Sequence, residues 1–156
     1  MAEEKEGRDL GVNRQASHNY HLLERFEAGL VLTGTEVKSA RNGRITLREG
    51  YCELKNGEVW MLNAHISPYS FGNYQNHDPL RPRKLLLHKQ EIRRLLGKVK
   101  ERGFTLIPLR IYLKRGRIKA EIALAKGKKV HDKRETILRK EIEKETRQAV
   151  RARRKV

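Results

Sequence analysis

Apolar residues recur along this chain with two periods, and each change of period marks an element. Over residues 88–102, Ile92, Leu95, Leu96 and Val99 fall at i, i+3, i+4 and i+7, one stripe of a helix, and Gly103 stops it. The next stretches alternate instead. Ile107, Leu109, Ile111 and Leu113 predict a strand over 104–114, and Ile118, Ala120, Ile122 and Leu124 predict another over 117–125. Arg115-Gly116 falls in the turn between them. Upstream, Asn56-Gly57 is a strong hairpin signal between arms 51–55 and 58–66. In the second arm Trp60, Leu62, Ala64 and Ile66 share one face, with Val59 and Met61 on the other. Residues 19–32 read as two strands bent at Glu27-Ala-Gly29, and 33–42 as a short helix ended by Gly43. Residues 67–83 hold three of the four prolines and form a long irregular loop before a short strand at 84–87. Residues 1–12 are expected to be disordered. These elements predict a mainly β fold: a small antiparallel β-barrel over 13–125 with two or three short helices.

The pattern fails at residue 126. From there to 156 the chain holds 13 Lys/Arg against 5 Asp/Glu, a net of +8, and few large apolar residues: Ile137, Leu138, Ile142 and Val150, with Val130 and Val156 near its ends. Such a segment buries too little surface to offset its ordering entropy. A basic tail that is disordered when free is the expectation, with a polyanion as its partner. Glu135 and Arg139, and Glu143 and Arg147, form i→i+4 pairs that bias it toward helix without holding one in water. The whole chain carries +17, which leaves +9 on residues 1–125. This balance points to nucleic acid. No apolar run reaches the ~20 residues of a membrane span. Residues 1–9 are charged rather than leader-like, and the single Cys52 reads as a small core residue. A cytoplasmic protein is expected.

Catalytic chemistry is hard to place. Gly34-Thr-Glu-Val-Lys-Ser39 lacks phosphate-loop spacing, and the histidines at 18, 21, 65, 77, 88 and 131 lack metal-ligand spacing. No enzyme activity, metal or cofactor is expected. Asn13-Arg-Gln-Ala-Ser-His-Asn-Tyr20 offers amide, guanidinium, imidazole and phenol groups for unpaired bases or the 2′-OH, and reads equally as a turn packed on the barrel. Glu27, among cations, reads as an acceptor for a base or ribose, or as a plain turn carboxylate. Tyr69, Phe71 and Tyr74 interleave with Arg81, Arg83 and Lys84, either as a stacking platform or as a loop pinned to its own barrel. Lys126, Lys128, Lys129, Lys133 and Arg134 put five cations in nine residues, with His131 among them as a candidate base-stacking group.

Together these stretches resemble the SmpB family, small proteins that bind transfer-messenger RNA (tmRNA) in bacteria. The likeness runs from Asn13 over nearly the whole chain. It rests on Asn13-Arg14 with Ala16, His18 and Tyr20; Phe26-Glu-Ala-Gly29; Gly34-Thr-Glu-Val-Lys-Ser39; Asn63-Ala-His-Ile66; Arg83-Lys-Leu-Leu-Leu-His88; and Ala125-Lys-Gly-Lys-Lys129 with Asp132-Lys-Arg134. Ala40 stands where the family often has leucine, and the far tail is loosely matched. The resemblance implies that the barrel is OB-like and that the chain is a monomeric adaptor that binds the tRNA-like domain of tmRNA. It enters the A site of stalled ribosomes, with elongation factor Tu and GTP carried on the aminoacylated tmRNA. Its tail becomes helical in the empty mRNA channel of the small subunit. By match, Asn13, Arg14, His18, Glu27, Lys84, Leu86, His88 and Lys119 are expected to bind tmRNA, although Leu86 equally suits a role in holding the barrel together. Lys126, Lys128, Lys129, His131, Asp132, Lys133 and Arg134 are expected to engage the ribosome. A ribosomal or ribosome-assembly protein is the alternative, and an RNA-processing enzyme a more distant one.

Overall fold

The computed structural model describes residues 8–71, 76–101, 103–128 and 130–154, the side chains of 130–132 and 154 excepted. In chain order the elements are β1 (Asp9–Val12), α1 (Ala16–Asn19), β2 (Tyr20–Leu30), α2 (Gly34–Arg41), β3 (Ile45–Thr46), β4 (Tyr51–Lys55), β5 (Glu58–Leu62), β6 (His65–Ile66), β7 (Arg83–Leu86), α3 (Lys89–Val99), β8 (Phe104–Lys114), β9 (Arg117–Gly127) and α4 (Val130–Arg154). Seven strands lie in the order β1-β8-β4-β5-β7-β2-β9, and β9 returns to pair with β8. Every pairing is antiparallel, so the sheet closes into the expected barrel. Closure leaves few strand edges open. β1 and β4 share one edge of β8, β1 beside Arg110–Tyr112 and β4 beside Leu106. β3 and β6 form a separate two-stranded sheet.

Local signals account for much of this. Asn56 and Gly57 both take positive φ, 53° and 74°, as a two-residue turn matched to strand twist requires, and Arg115 and Gly116 do the same at 51° and 75°. Leu95 is the fully buried position of the α3 stripe, with Ile92 and Val99 packed against the core beside it. Ala120, Ile122 and Leu124 fill the barrel with Leu106, Ile111, Phe26 and Val59.

Long-range packing overrides the pattern at four places. Residues 9–12, expected to be disordered, form β1 because β8 offers them a free edge. The two strands expected to meet at Glu27-Ala-Gly29 are one, and β2 runs unbroken from Tyr20 to Leu30. Gly29 serves a close approach instead: a Cβ there would sit 3.2 Å from Cβ of Leu86 on the next strand. The β2 irregularity lies earlier, between Leu22 and Glu24. In β8, a register shift between Pro108 and Arg110 changes which parity faces inward. Leu106 and Ile111 join the barrel interior, while Ile107 and Leu109 join Ala16, Ala123 and Ala125 in a second cluster. In β5, Val59 and Met61 are the core residues and Trp60 and Leu62 are half-buried. Asn63, at φ 57°, then resets the chain so that Ala64 and Ile66 are buried again.

The long loop is fastened by buried charge. Glu36 of α2 and Arg83 of β7 are both fully buried and meet at 2.5 Å. Arg81 donates to the same carboxylate, as does the backbone N–H of Thr33. Arg83 also donates to the carbonyls of Ala64 and Pro79. Arg83 is therefore unavailable as part of an RNA platform, and Arg81 and Lys84 are tied to Glu36 and Glu58. Tyr74, the third aromatic of the expected platform, lies outside the described residues. β9 continues to Gly127, two residues beyond the expected end of the barrel at Ala125.

Candidate nucleic-acid interface

Antiparallel register brings together residues far apart in the chain. Leu86 on β7 faces Gly29 on β2, Gly29 faces Lys119 on β9, and Lys119 faces Tyr112 on β8. Two positions along, Glu27 faces Glu121, which faces Arg110. The neighbours of opposite parity, Ala28 and Ala120, are buried, so this row lies on the outer face. Leu86 is 52 % exposed and lies across Gly29, whereas its neighbour Leu85 is buried. The barrel-holding role thus belongs to Leu85, and Leu86 is a surface residue.

The charges on this face are organised by carboxylates. The Tyr112 hydroxyl donates to Glu27 Oε2 at 2.5 Å, and Lys114 Nζ donates to the same oxygen at 3.1 Å. The Tyr112 hydrogen bond holds the Glu27 carboxyl below its ordinary range, and Lys114 and Lys119 add to this against the cost of burial. Burial, then the Glu27 carboxylate, pushes the Tyr112 phenol up. The Arg110 guanidinium lies 4.2 Å from the Tyr112 ring centroid and pairs with Asp9 and Glu121. Arg25 donates to the other Glu121 oxygen. Glu27, Lys114, Arg115, Arg117 and Lys119 line a cavity of about 530 Å³. Neither the Arg117 nor the Lys119 side chain makes a hydrogen bond or ion pair within the described residues. Cations held apart from partners beside a concave wall suit phosphate. Glu27 lies inside a strand rather than a turn, where it orients two donors and leaves acceptor capacity toward the cavity.

Glu27, Leu86 and Lys119 thus come together, and Lys84 and His88 flank Leu86. His88 is the N-cap of α3, its N–H donating to Glu91. Lys84 pairs with Glu58 at 2.9 Å.

Asn13, Arg14 and His18 are elsewhere. Asn13 is anchored to β8 by its N–H on Leu109 O and its amide on Pro108 O, and Ala16 packs on the second apolar cluster. These residues sit beside the root of the tail, since Tyr20 pairs with Gly127 and Asn19 O accepts from Lys128 N. Lys119 and Gly127 are eight residues apart on one strand, about 26 Å. The expected tmRNA residues therefore form two groups at opposite ends of β9. A cleft of about 450 Å³ at the tail end lies between Asn13, Gln15, Asn19 and Tyr20 on one side and Arg48, Glu49 and Tyr51 on the other.

α4 leaves from this second end. Lys128 Nζ donates to Thr136 Oγ1 at 2.7 Å, and Thr136 is buried, so Lys128 pins the root of the helix. Lys126 is exposed, 5.9 Å from the Phe104 ring centroid, Lys133 is half-buried and Arg134 is exposed. Lys129 and the side chains of His131 and Asp132 lie outside the described residues. Beyond Thr136, the side chains of Ile137, Leu138, Ile142 and Val150 are 44–57 % exposed. Arg110, Tyr112, Lys114 and Arg117 are site residues that pattern reading missed. A signal existed: a two-residue turn at Arg115-Gly116 dictates that Lys114 faces Arg117, Tyr112 faces Lys119 and Arg110, still on the turn side of the bulge, faces Glu121.

Comparison with known proteins agrees with this architecture. Residues 10–152 match the family model described as SmpB protein. An SsrA-binding protein from Trichormus variabilis is 58 % identical over 139 residues, covering 88 % of this chain and 90 % of its own length. One from Geobacillus thermodenitrificans is 52 % identical over 151 residues, covering 97 % of each. A solved structure described as "tmRNA-SmpB: a journey to the center of the bacterial ribosome" superposes with a TM-score of 0.65 at 51 % identity, over 76 % of this chain and 84 % of that one. With a family match spanning the barrel and most of α4, and relatives more than half identical along most of their length, this chain belongs to the SmpB family.

Proposed function

We propose that this chain is a non-catalytic, monomeric adaptor of trans-translation. It binds the tRNA-like domain of tmRNA and brings it to the vacant A site of a stalled ribosome. Elongation factor Tu with GTP accompanies it on the aminoacylated tmRNA. The observation that carries this reading is the separation of two cationic features along one strand. The cavity of Glu27, Lys114, Arg117 and Lys119, with Leu86 beside it, lies at one end of β9, and α4 leaves from the other. One end holds tmRNA through phosphates, with Glu27 accepting from a base or ribose. The other end, where Asn13, Arg14 and His18 add further tmRNA contacts beside the root of α4, faces the decoding site.

Lys126, Lys128, Lys129, His131, Asp132, Lys133 and Arg134 begin the part that engages ribosomal RNA. Lys128 fixes the direction of the helix and its neighbours supply charge. Residues 137–154 span about 27 Å as a helix. A lone helix of this length with exposed apolar side chains is marginal in water. Its ordering is left to an RNA-walled channel, so the tail folds where mRNA is missing. Among the described residues, no helix is long and apolar enough to cross a membrane.

The test is to sequence the RNA that co-purifies with the protein. Enrichment of one small RNA with a tRNA-like domain is expected. Stoichiometric recovery with every ribosome and no such RNA would favour a ribosomal protein and sink the adaptor reading.

A further inference from the structure

We propose that α2 and the loop after β6 form a second RNA-binding surface, a stacking platform for unpaired bases. This rests on the RNA-binding reading above and uses none of the residues of the β9 face. Its centre is Phe71, which is 81 % exposed, more than any other large apolar residue described. Phe71 is held in place by Tyr69, whose ring meets it edge-on at 5.6 Å and 66°. Tyr69 is fixed in turn by a reciprocal pair of hydrogen bonds with the Asn76 amide, N–H to Oδ1 at 3.1 Å and Nδ2 to the carbonyl at 2.9 Å. Lys38 of α2 lies 5.3 Å from the Tyr69 ring centroid, and Arg44 donates to Ser70 Oγ. Arg41, exposed, follows Lys38 by three residues and so shares its face of α2.

Single exposed apolar residues are common on protein surfaces. An aromatic ring braced by a second, with Lys38 over that second ring and Arg44 on the residue between the two, is a narrower arrangement. It offers a π-face for a base and charges for the phosphates on either side, the combination that binds single strands. The local cations favour a polyanion over an apolar protein partner. The pattern of aromatics and cations in 69–84 thus does mark a platform, but its cations come from α2 and Arg44 rather than from Arg81, Arg83 and Lys84.

The full-length protein is titrated by fluorescence anisotropy against a labelled single-stranded RNA of about 12 nucleotides, a duplex RNA of equal length, and the tRNA-like domain of tmRNA. Phe71→Ala should weaken single-strand binding about five- to tenfold and duplex binding less than twofold. Phe71→Trp, which keeps a stacking face, should bind the single strand at least as well as wild type. Lys38→Gln and Arg44→Gln should each flatten the single-strand salt dependence by about 0.7. Unchanged single-strand affinity in Phe71→Ala would overturn the proposal, as would an equal loss on duplex. A Phe71→Ala variant that loses only a protein from ribosome pull-downs would assign the patch to a protein partner and also overturn it. Failure of the function reading is distinct: it would appear as wild-type protein binding the tRNA-like domain no more tightly than the duplex.

Discussion

Removing the charge of Glu36 should cost this protein a large share of its stability. Glu36 and Arg83 are both fully buried, and the carboxylate accepts from Arg83 at 2.5 Å, from Arg81 and from the Thr33 N–H at 2.9 Å. In Glu36→Gln the Arg83 guanidinium keeps its bonds to the Ala64 and Pro79 carbonyls but loses its counter-charge. Stranding a buried charge in this way costs about 3–5 kcal/mol, against a total of about 5–15 kcal/mol for a domain. Arg81 is one-third exposed and can turn to water, so it adds little. At about 2–4 °C per kcal/mol for a chain of this size, melting should fall by about 6–20 °C. The double variant Glu36→Leu with Arg83→Met removes both charges and should recover most of the loss.

Acid should reveal the same pair. Burial raises the Glu36 carboxyl, but the donors Arg81, Thr33 and Arg83 outweigh it and hold it below the ordinary range. Its contribution is therefore complete above the unfolded value of about 4.3 and is lost as pH falls through the folded one. Urea titrations across pH 2.5–7 would follow this, with wild type and Glu36→Gln converging in acid. A difference below about 1 kcal/mol at neutral pH, where a breakage of about 3–5 is expected, would refute the reasoning. So would parallel acid profiles. The consequence reaches function, because β7 begins at Arg83 and carries Leu86 to the RNA face.

Gly29→Ala places a Cβ 3.2 Å from Leu86 Cβ, so Leu86 must shift; affinity for the tRNA-like domain should fall severalfold with little change in melting, and an unaffected affinity would remove Leu86 from the interface. Lys119→Ala should flatten the salt dependence of that binding by about one unit for the phosphate that Lys119 neutralises. Glu27→Ala should weaken binding without flattening it, and a reversal of the two slopes would contradict the assigned roles. Truncation after Lys128, past the last paired residue of β9, should leave tmRNA affinity within tenfold of wild type while abolishing tagging of stalled peptides; a larger loss of affinity would end the proposed division of labour. Leu138→Pro breaks α4 at about 3 kcal/mol without removing charge and should impair tagging far more than Arg151→Gln. Normal tagging by Leu138→Pro would reduce the tail to a flexible polycation.

Features that rest on near neighbours in the chain were legible in the residues alone. The stripe Ile92, Leu95, Leu96 and Val99 made α3, the Asn56-Gly57 turn made the β4–β5 hairpin, and alternation made β8 and β9. In the tail, charge without an apolar face is plain in the residues, and the side chains of Leu138 and Ile142 are exposed on α4. Of the site, the likeness in motifs pointed to Glu27, Leu86 and Lys119, and register then placed them on one face. Whatever depends on distant partners emerged with the fold. Arg83 reads as a surface cation until Glu36, 47 residues away, is seen buried against it. Gly29 reads as a bend until Leu86 lies across it. The two apolar clusters of β8 appear only once the bulge at Pro108–Arg110 reverses its parity. Periodicity records which side of an element is apolar, an intrinsic property of the chain. Which element covers that side, and which charge must be neutralised beneath it, is set by pairings whose free energy exists only after the barrel has closed.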